Sequence, residues 1–186
     1  YGPPGTNKTY TAQRFARWWA ANQQQITARE NQVRTVTFHP SFSYEDFVEG
    51  LTAEATDDGS VTYRIKKGTL RRICDDALEA YIEAGENEAV PRYVLIIDEI
   101  NRGNLSQIFG EMITLLESDK RLDAPNETRV DLAHSGDELV LPPNLYLIGT
   151  MNTADRSIGL IDAAIRRRFR FLSFSPDYEL LYEHHG

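Results

Sequence analysis

Short apolar runs alternate with helix-patterned segments along the chain. Three runs, at 33–38, 93–97 and 145–150, predict strands: the first alternates and is rich in β-branched residues, and the other two are rich in Ile and Leu. The second run is nearly continuous, which is typical of a strand buried on both faces of a parallel sheet. Strands that alternate with helices predict an α/β fold in which helices cover a parallel sheet on both sides.

Weaker patterns complete the predicted elements. Asn104, with Gln107 three residues later, is predicted to cap a helix. Alternating segments predict a hairpin arm at 61–65, a β-hairpin insertion at 128–132 and 138–141, and a final strand at 171–174, with a short amphipathic segment at 44–51. The apolar stripes of the predicted helices are Phe15, Trp18, Trp19 and Ile26; Leu70, Ile73, Ala77, Leu78, Tyr81 and Ile82; Leu105, Ile108, Phe109, Met112, Ile113 and Leu116; and Ile158, Ile161, Ile165 and Phe169.

Composition and charge narrow the class of protein. The 186 residues predict one domain, 1–186, and 41% apolar with 26% charged residues is ordinary for a soluble globular protein. The net charge of −8 argues against a surface that binds nucleic acid everywhere, since such binding needs clustered Lys and Arg. The single cysteine, Cys74, is predicted to be a core side chain. Without a leader or a long apolar run, we expect a cytoplasmic protein with no membrane contact.

The segment GPPGTNKT at 2–9 fits the phosphate-binding loop G-x-x-x-x-G-K-[ST] except at the second glycine, where Asn7 stands. In such a loop, main-chain amides wrap a phosphate, Lys8 neutralises the β- and γ-phosphates, and Thr9 binds Mg²⁺. Asn is the least costly replacement for a glycine with positive φ. A glycine-proline turn with a chance lysine is the alternative. The predicted nucleotide-binding residues are Gly2, Pro3, Pro4, Gly5, Thr6, Asn7, Lys8, Thr9 and Tyr10.

Two predicted strands end in polar groups that suit hydrolysis. Asp98 and Glu99 follow the second run, where Asp98 would bind Mg²⁺ together with Thr9 and Glu99 would polarise the attacking water. Asn152 follows the third run, and an amide there can orient the same water, since ligands bind at the carboxyl ends of parallel strands. The alternatives are that the acids only end a strand and that Asn152 only begins a turn.

Arg166, Arg167, Arg168 and Arg170 form a dense basic run on an acidic chain. Three roles compete: favourable contact with a helix dipole, a nucleic-acid patch, and arginine fingers that reach the γ-phosphate of a neighbouring subunit. A helix dipole can account for one or two of the four arginines. The presence of a phosphate-binding loop favours the role of arginine fingers. The four histidines lack metal-ligand spacing.

The order of these motifs resembles that of AAA+ proteins, and three segments are similar to the McrB family of restriction-system GTPases. They are FHPSFSYEDF at 38–47, DEINRGNLS at 98–106 and MNTADRS at 151–157. The resemblance implies an AAA+ P-loop NTPase core with β-hairpin insertions. It also leads us to expect a fragment of a longer chain, with the first central strand and the helical lid outside the sequence.

The resemblance also implies an activity and partners. The family is expected to hydrolyse GTP with Mg²⁺, to form hexameric rings, to be stimulated by an McrC-type nuclease subunit, and to translocate DNA after a separate domain recognises modified cytosine. Asn152 and Asp155 match the family's M-N-T-A-D signature, and Arg167 and Arg168 match positions that act across the subunit interface. The predicted catalytic residues are therefore Asp98, Glu99, Asn152, Asp155, Arg167 and Arg168, with Thr9 and Asp98 on Mg²⁺ and GTP or ATP as substrate.

Two other functions compete with this one. The first is an ATP-specific AAA+ remodeller of the MoxR or dynein-related type. The second is a non-hydrolysing assembly module, which Asn7 in the loop would favour and the intact Lys8, Asp98 and Glu99 oppose. Direct DNA binding by this chain alone is disfavoured by its charge.

Overall fold

The computed structural model describes residues 1–21, 30–56, 58–84, 89–153 and 163–175. The strands are β1 (Val33–Thr37), β2 (Glu49–Ala55), β3 (Val61–Lys67), β4 (Tyr93–Asp98), β5 (Val130–Asp131), β6 (Glu138–Leu139) and β7 (Leu145–Gly149). The α-helices are α1 (Lys8–Ala21), α2 (Tyr44–Phe47), α3 (Thr69–Glu83), α4 (Leu105–Phe109) and α5 (Ala163–Arg166). Short 3₁₀ helices span Glu30–Gln32, Ile100–Arg102, Gly110–Leu116 and Ser118–Lys120.

The central sheet is parallel, with the order β1-β4-β7. Next to β7, Gly2 forms a parallel bridge with Asn152, in which the Gly2 nitrogen donates to the Met151 carbonyl at 3.2 Å. On its other side, the Phe174 nitrogen donates to the Tyr1 carbonyl at 2.7 Å. The start of the phosphate-binding loop therefore lies at the edge of the sheet where β4 and β7 end.

Helices cover both faces of β4, as the sequence predicts. Val94 and Ile96 pack against Ala16 of α1 on one face. Leu95 and Ile97 belong to the larger core on the other face, which α2, α3 and α4 help to build. The fold is thus an α/β parallel sheet flanked by helices, and the predicted hairpins are present as the antiparallel pairs β2–β3 and β5–β6.

Two predicted stripes, those of α1 and α3, are wrong in part. Ile82 of α3 is 71% exposed, and Ile26 lies outside the described residues. Phe15 and Trp18 of α1 are 48% and 53% exposed, because the small residues Ala16 and Ala20 face the sheet instead. The helix capped by Asn104 ends at Phe109 and continues as a 3₁₀ helix. It breaks there because Gly110 adopts a φ of 51°, beside the ring of Tyr44.

The remaining differences concern strands and helix ends. The segment 171–174, predicted as a final strand, forms no strand. The segment predicted at 44–51 is helical only to Phe47, and β2 begins two residues later. The apolar run at 145–150 predicts a buried strand, but within β7 only Leu145 is buried, because a cavity borders the strand. Residues 154–162, where most of the last predicted helix falls, lie outside the described part. No helix among the described residues is long and apolar enough to cross a membrane.

A buried ion network joins the two hairpins. Glu49, at the base of β2, is fully buried and pairs with Arg71 of α3, which also pairs with Asp137 of the β5–β6 turn. The Glu49 carboxylate accepts from the main-chain nitrogens of His134 and Ser135, at 3.0 and 2.7 Å. Burial alone would raise the pKa of Glu49, but these hydrogen bonds and Arg71 together hold the pKa below its ordinary value of 4.5. Glu49 therefore stabilises the fold fully above pH 4.5, and this stabilisation is lost as the pH falls through the lowered pKa.

Removing Arg71 is expected to destabilise the fold strongly. Arg71→Met would leave the Glu49 carboxylate buried without its cation, and breaking such a pair costs about 3–5 kcal/mol. Arg72→Met, an exposed arginine on the same helix, is the matched control and should cost less than about 1 kcal/mol. Urea denaturation of both variants measures the difference, and equal free energies of unfolding would contradict a structural role for the network.

Candidate active site

The phosphate-binding loop is a tight turn that runs into α1. Gly5 and Asn7 have φ values of 81° and 54°, so both occupy the left-handed region. Gly2 admits no side chain, because a Cβ there would lie 2.1 Å from the carbonyl oxygen of Phe174. Since α1 begins at Lys8, its first main-chain N–H groups open towards the loop, as anion binding at a helix N-terminus requires.

Asn7 adopts a left-handed conformation, and this conformation predicts how substitutions at position 7 affect nucleotide binding. Asn7→Gly is expected to leave the nucleotide Kd within about threefold, since both residues tolerate positive φ. Asn7→Val should weaken binding by about tenfold, because a β-branched side chain is strained there by roughly 1–3 kcal/mol. Titration with a fluorescent nucleotide measures both, and equal affinity of the Gly and Val variants would contradict a requirement for positive φ.

Lys8 folds back into the loop. Its Nζ donates to the Pro3 carbonyl at 2.7 Å and to the Thr6 hydroxyl at 3.3 Å, and the Thr6 hydroxyl donates to the same Pro3 carbonyl at 3.0 Å. These contacts place the ammonium group inside the turn that a phosphate would enter. Tyr10, the last predicted binding residue, is 59% exposed on α1 and lies beside Arg14.

Thr9 and Asp98 meet although 89 positions separate them. The Thr9 hydroxyl donates to Asp98 Oδ1 at 2.6 Å. Because the proton points at the carboxylate, the lone pairs of the hydroxyl oxygen remain available to a cation. Mg²⁺ prefers such hydroxyl and carboxylate oxygens and completes its shell with phosphate and water, so this pair fits a magnesium ion. Among the described residues, no group of three or more His, Cys, Asp or Glu side chains offers another metal site.

Glu99 lies directly after β4 in an uncommon conformation. Its φ and ψ are 54° and 42°, a left-handed state that costs a non-glycine residue about 1–2 kcal/mol. The Glu99 carboxylate accepts a hydrogen bond from the Asn152 side chain, and its other oxygen lies 3.4 Å from Arg102 Nε. Asn101, which is buried, donates to the Asn152 carbonyl at 3.1 Å. The acid and the amide predicted from two different strand ends are therefore in direct contact.

The arginine run divides into exposed and buried members. The Arg168 side chain is only 7% exposed and lies 2.6 Å from Glu117 Oε1. The Arg167 side chain is 69% exposed, 4.0 Å from the same carboxylate oxygen. Arg166 and Arg170 are also exposed. Of the two arginines predicted to act across an interface, Arg167 is the one that a neighbouring molecule can reach.

A cavity of 490 Å³ lies between α1, β7 and the segment at 165–174. Its walls are mostly apolar, and Lys8 contributes to them. Thr9, Asp98, Glu99 and Asn152 do not line it. The polar groups with hydrolytic chemistry lie instead at the end of β4 and β7, where we place the candidate active site.

One further residue, which the sequence patterns did not single out, belongs to this site. Thr150 follows β7, is buried, and its hydroxyl donates to Asp98 Oδ1 while accepting from the Glu99 nitrogen at 3.2 Å. A polar residue at the end of an apolar run, parallel to the run that ends in two acids, could have identified it. Asp155 falls outside the described residues.

Comparisons with known proteins agree with this architecture. Residues 1–169 match the profile of a family described as an AAA domain of the dynein-related subfamily. A solved structure of an ATPase from Cytophaga hutchinsonii ATCC 33406 superposes on 98% of this chain and 42% of its own chain, with 16% identity and a TM-score of 0.49.

Two curated relatives belong to restriction systems. The chain is 38% identical over 178 residues to the type IV methyl-directed restriction enzyme EcoKMcrB subunit of Escherichia coli K12, covering 96% of this chain and 35% of the relative. It is 30% identical over 196 residues to the type II restriction enzyme BsuMI component YdiS of Bacillus subtilis 168, covering 92% of this chain and 54% of the relative. The chain thus spans about a third and about half of the lengths of these proteins, and the resemblance to the McrB family is confirmed.

Proposed function

The chain belongs to the AAA domain family, dynein-related subfamily, and from this premise we propose that it hydrolyses GTP in a Mg²⁺-dependent reaction. The hydrogen bond of 2.6 Å between Thr9 and Asp98 carries the proposal, since it joins the phosphate-binding loop to the acidic strand end. The contact between Glu99 and Asn152 supplies the groups that activate water. The preference for GTP rests on the similarity to the McrB subunit.

The loop binds the triphosphate in this mechanism. Main-chain N–H groups at the start of α1 and the Lys8 ammonium would bind the β- and γ-phosphates. Thr9 and Asp98 would hold Mg²⁺, which when bound neutralises negative charge on the phosphates. The loop residues then restrict the γ-phosphoryl group to one position, facing the end of β4.

Glu99 and Asn152 act on the water. The Glu99 carboxylate accepts a proton from the attacking water, and the Asn152 amide orients that water. The side-chain contact between the two residues fixes both groups at one place. Arg102 Nε lies 3.4 Å from the second carboxylate oxygen of Glu99 and helps to hold the side chain in place.

The remaining parts of the proposal concern the assembly. By similarity to the restriction subunits, we propose a cytoplasmic homo-oligomeric ring of six subunits that is stimulated by an McrC-type nuclease subunit and translocates DNA. In this ring, Asp155 belongs to the nucleotide-sensing segment. Arg167 serves the subunit interface, and Arg168 supports it from its buried position beside Glu117. The described chain would be the large α/β subdomain of that motor.

A comparison of GTP with ATP tests the proposed reaction. The full-length protein, at concentrations that form rings, is expected to release phosphate from GTP faster than from ATP, and only with Mg²⁺. Faster turnover of ATP would assign the protein to the ATP-specific remodellers instead. Binding of either nucleotide without turnover would favour the assembly module, and activity that survives removal of Mg²⁺ would contradict the metal site.

A further inference from the structure

Thr150 links the two acids of the site through one hydroxyl group. The Thr150 hydroxyl donates to Asp98 Oδ1 and accepts from the main-chain nitrogen of Glu99 at 3.2 Å. The Thr150 main chain is fixed on both sides: its nitrogen donates to the Ile97 carbonyl, and its carbonyl accepts from the Ile100 nitrogen, both at 2.9 Å. The side chain is buried, so no solvent competes for these bonds.

The direction of this hydrogen-bond chain is determined by its ends. An ionised carboxylate only accepts and a main-chain N–H only donates, so the hydroxyl must donate to Asp98 and accept from Glu99. Asp98 Oδ1 also accepts from the Thr9 hydroxyl at 2.6 Å. Asp98 Oδ1 therefore orients Thr9, the proposed Mg²⁺ ligand, and Thr150 in turn orients Asp98 Oδ1.

We propose that Thr150 is a positioning residue that sets both the Mg²⁺ affinity and the rate of hydrolysis. This inference rests on the proposed function. Through Asp98, Thr150 fixes the carboxylate that would share the metal with Thr9. Through the Glu99 nitrogen, it holds the left-handed main chain that directs the general base towards Asn152. Partners of this kind, one shell away from a metal, typically change metal affinity or activity by about 10- to 100-fold when removed.

Four variants separate the hydroxyl from the packing of the side chain. Thr150→Val keeps the shape and removes the hydroxyl, whereas Thr150→Ser keeps the hydroxyl. If the valine variant does not fold, Thr150→Ala is compared with Thr150→Ser, because these two variants differ only in the hydroxyl. Thr35→Val, an exposed threonine in the middle of β1, is the control for the substitution itself.

The first measurement needs no turnover: a fluorescent nucleotide is bound while Mg²⁺ is titrated. We expect Thr150→Val to raise the Mg²⁺ midpoint by about 10- to 100-fold, with nucleotide affinity in EDTA unchanged. The second measurement is kcat, which should fall over a similar range. Thr150→Ser should stay within about threefold of the wild type in both, and Thr35→Val should change neither.

Two results would overturn the proposal. An unchanged Mg²⁺ midpoint in folded Thr150→Val or Thr150→Ala, beside a wild type that requires Mg²⁺, would refute the role of Thr150 alone. If Thr150→Ser lowers Mg²⁺ affinity and kcat as much as Thr150→Ala does, the effect comes from packing of the methyl group, because serine keeps the hydroxyl. A wild-type protein that binds no nucleotide at any Mg²⁺ concentration would instead overturn the proposed function, and the role of Thr150 with it.

Discussion

Replacing Glu99 by glutamine is expected to slow nucleotide hydrolysis by about 10²- to 10⁴-fold, the range that a general base contributes. Glutamine keeps the shape of the side chain and can still bond to Asn152, but its neutral amide cannot accept the proton of the attacking water. Nucleotide binding should persist, since Lys8, Thr9 and the loop are unchanged. Steady-state phosphate release and fluorescent-nucleotide titration measure the two properties.

The control for this variant is Glu83→Gln, which makes the same change of charge on the exposed face of α3. It should leave both turnover and binding unchanged. Turnover of Glu99→Gln within about threefold of the wild type would remove Glu99 from the mechanism. A parallel loss of nucleotide binding would show instead that the substitution had disturbed the loop.

The conformation of Glu99 gives a physical reason to place the base there. A non-glycine residue in the left-handed region persists only where its surroundings determine it. Here the Glu99 nitrogen is bonded to Thr150, and the next residue, Ile100, is bonded to the Thr150 carbonyl. The main chain therefore turns sharply at the end of β4 and aims the carboxylate at Asn152 rather than along the strand.

Much of this arrangement could be predicted from sequence because periodicity determines where strands end. The apolar runs place Asp98, Glu99 and Asn152 at the ends of neighbouring parallel strands, and the structure brings Glu99 and Asn152 into contact. The phosphate-binding loop follows from spacing alone, although its second glycine is replaced. Asn7 satisfies that position because it adopts the required positive φ.

Other features depend on tertiary contacts that periodicity does not record. The helix stripe of α1 predicts that Phe15 and Trp18 are buried, yet close packing on the sheet selects the alanines. The break at Gly110 depends on the ring of Tyr44, which is distant in sequence. Nor can four nearly consecutive arginines be told apart by sequence, since the tertiary fold buries the Arg168 side chain beside Glu117 and leaves the Arg167 side chain exposed.

That distinction makes Arg167 the arginine with the largest expected effect. If it reaches the γ-phosphate of a neighbouring subunit, Arg167→Ala should lower kcat by roughly 10³-fold, as loss of an arginine finger does. Arg166→Ala removes another exposed charge from the adjacent position and should retain most of the activity. Phosphate release at fixed ring concentration compares the two, and a greater loss in Arg166→Ala would move the finger to that residue.

Mixed rings test whether Arg167 acts across the interface. Arg167→Ala subunits keep an intact phosphate-binding loop, whereas Lys8→Ala subunits keep the arginine, so each variant alone should be inactive. When the two are mixed, a Lys8→Ala subunit can supply Arg167 to the intact site of its neighbour, and part of the activity should return. An arginine that served its own subunit's site would give no recovery at any mixing ratio, because no subunit would then contain both groups.

The dependence of wild-type activity on protein concentration tests the same shared site. Specific activity that rises with protein concentration would agree with a site shared between subunits, whereas full turnover by a dilute monomer would contradict it.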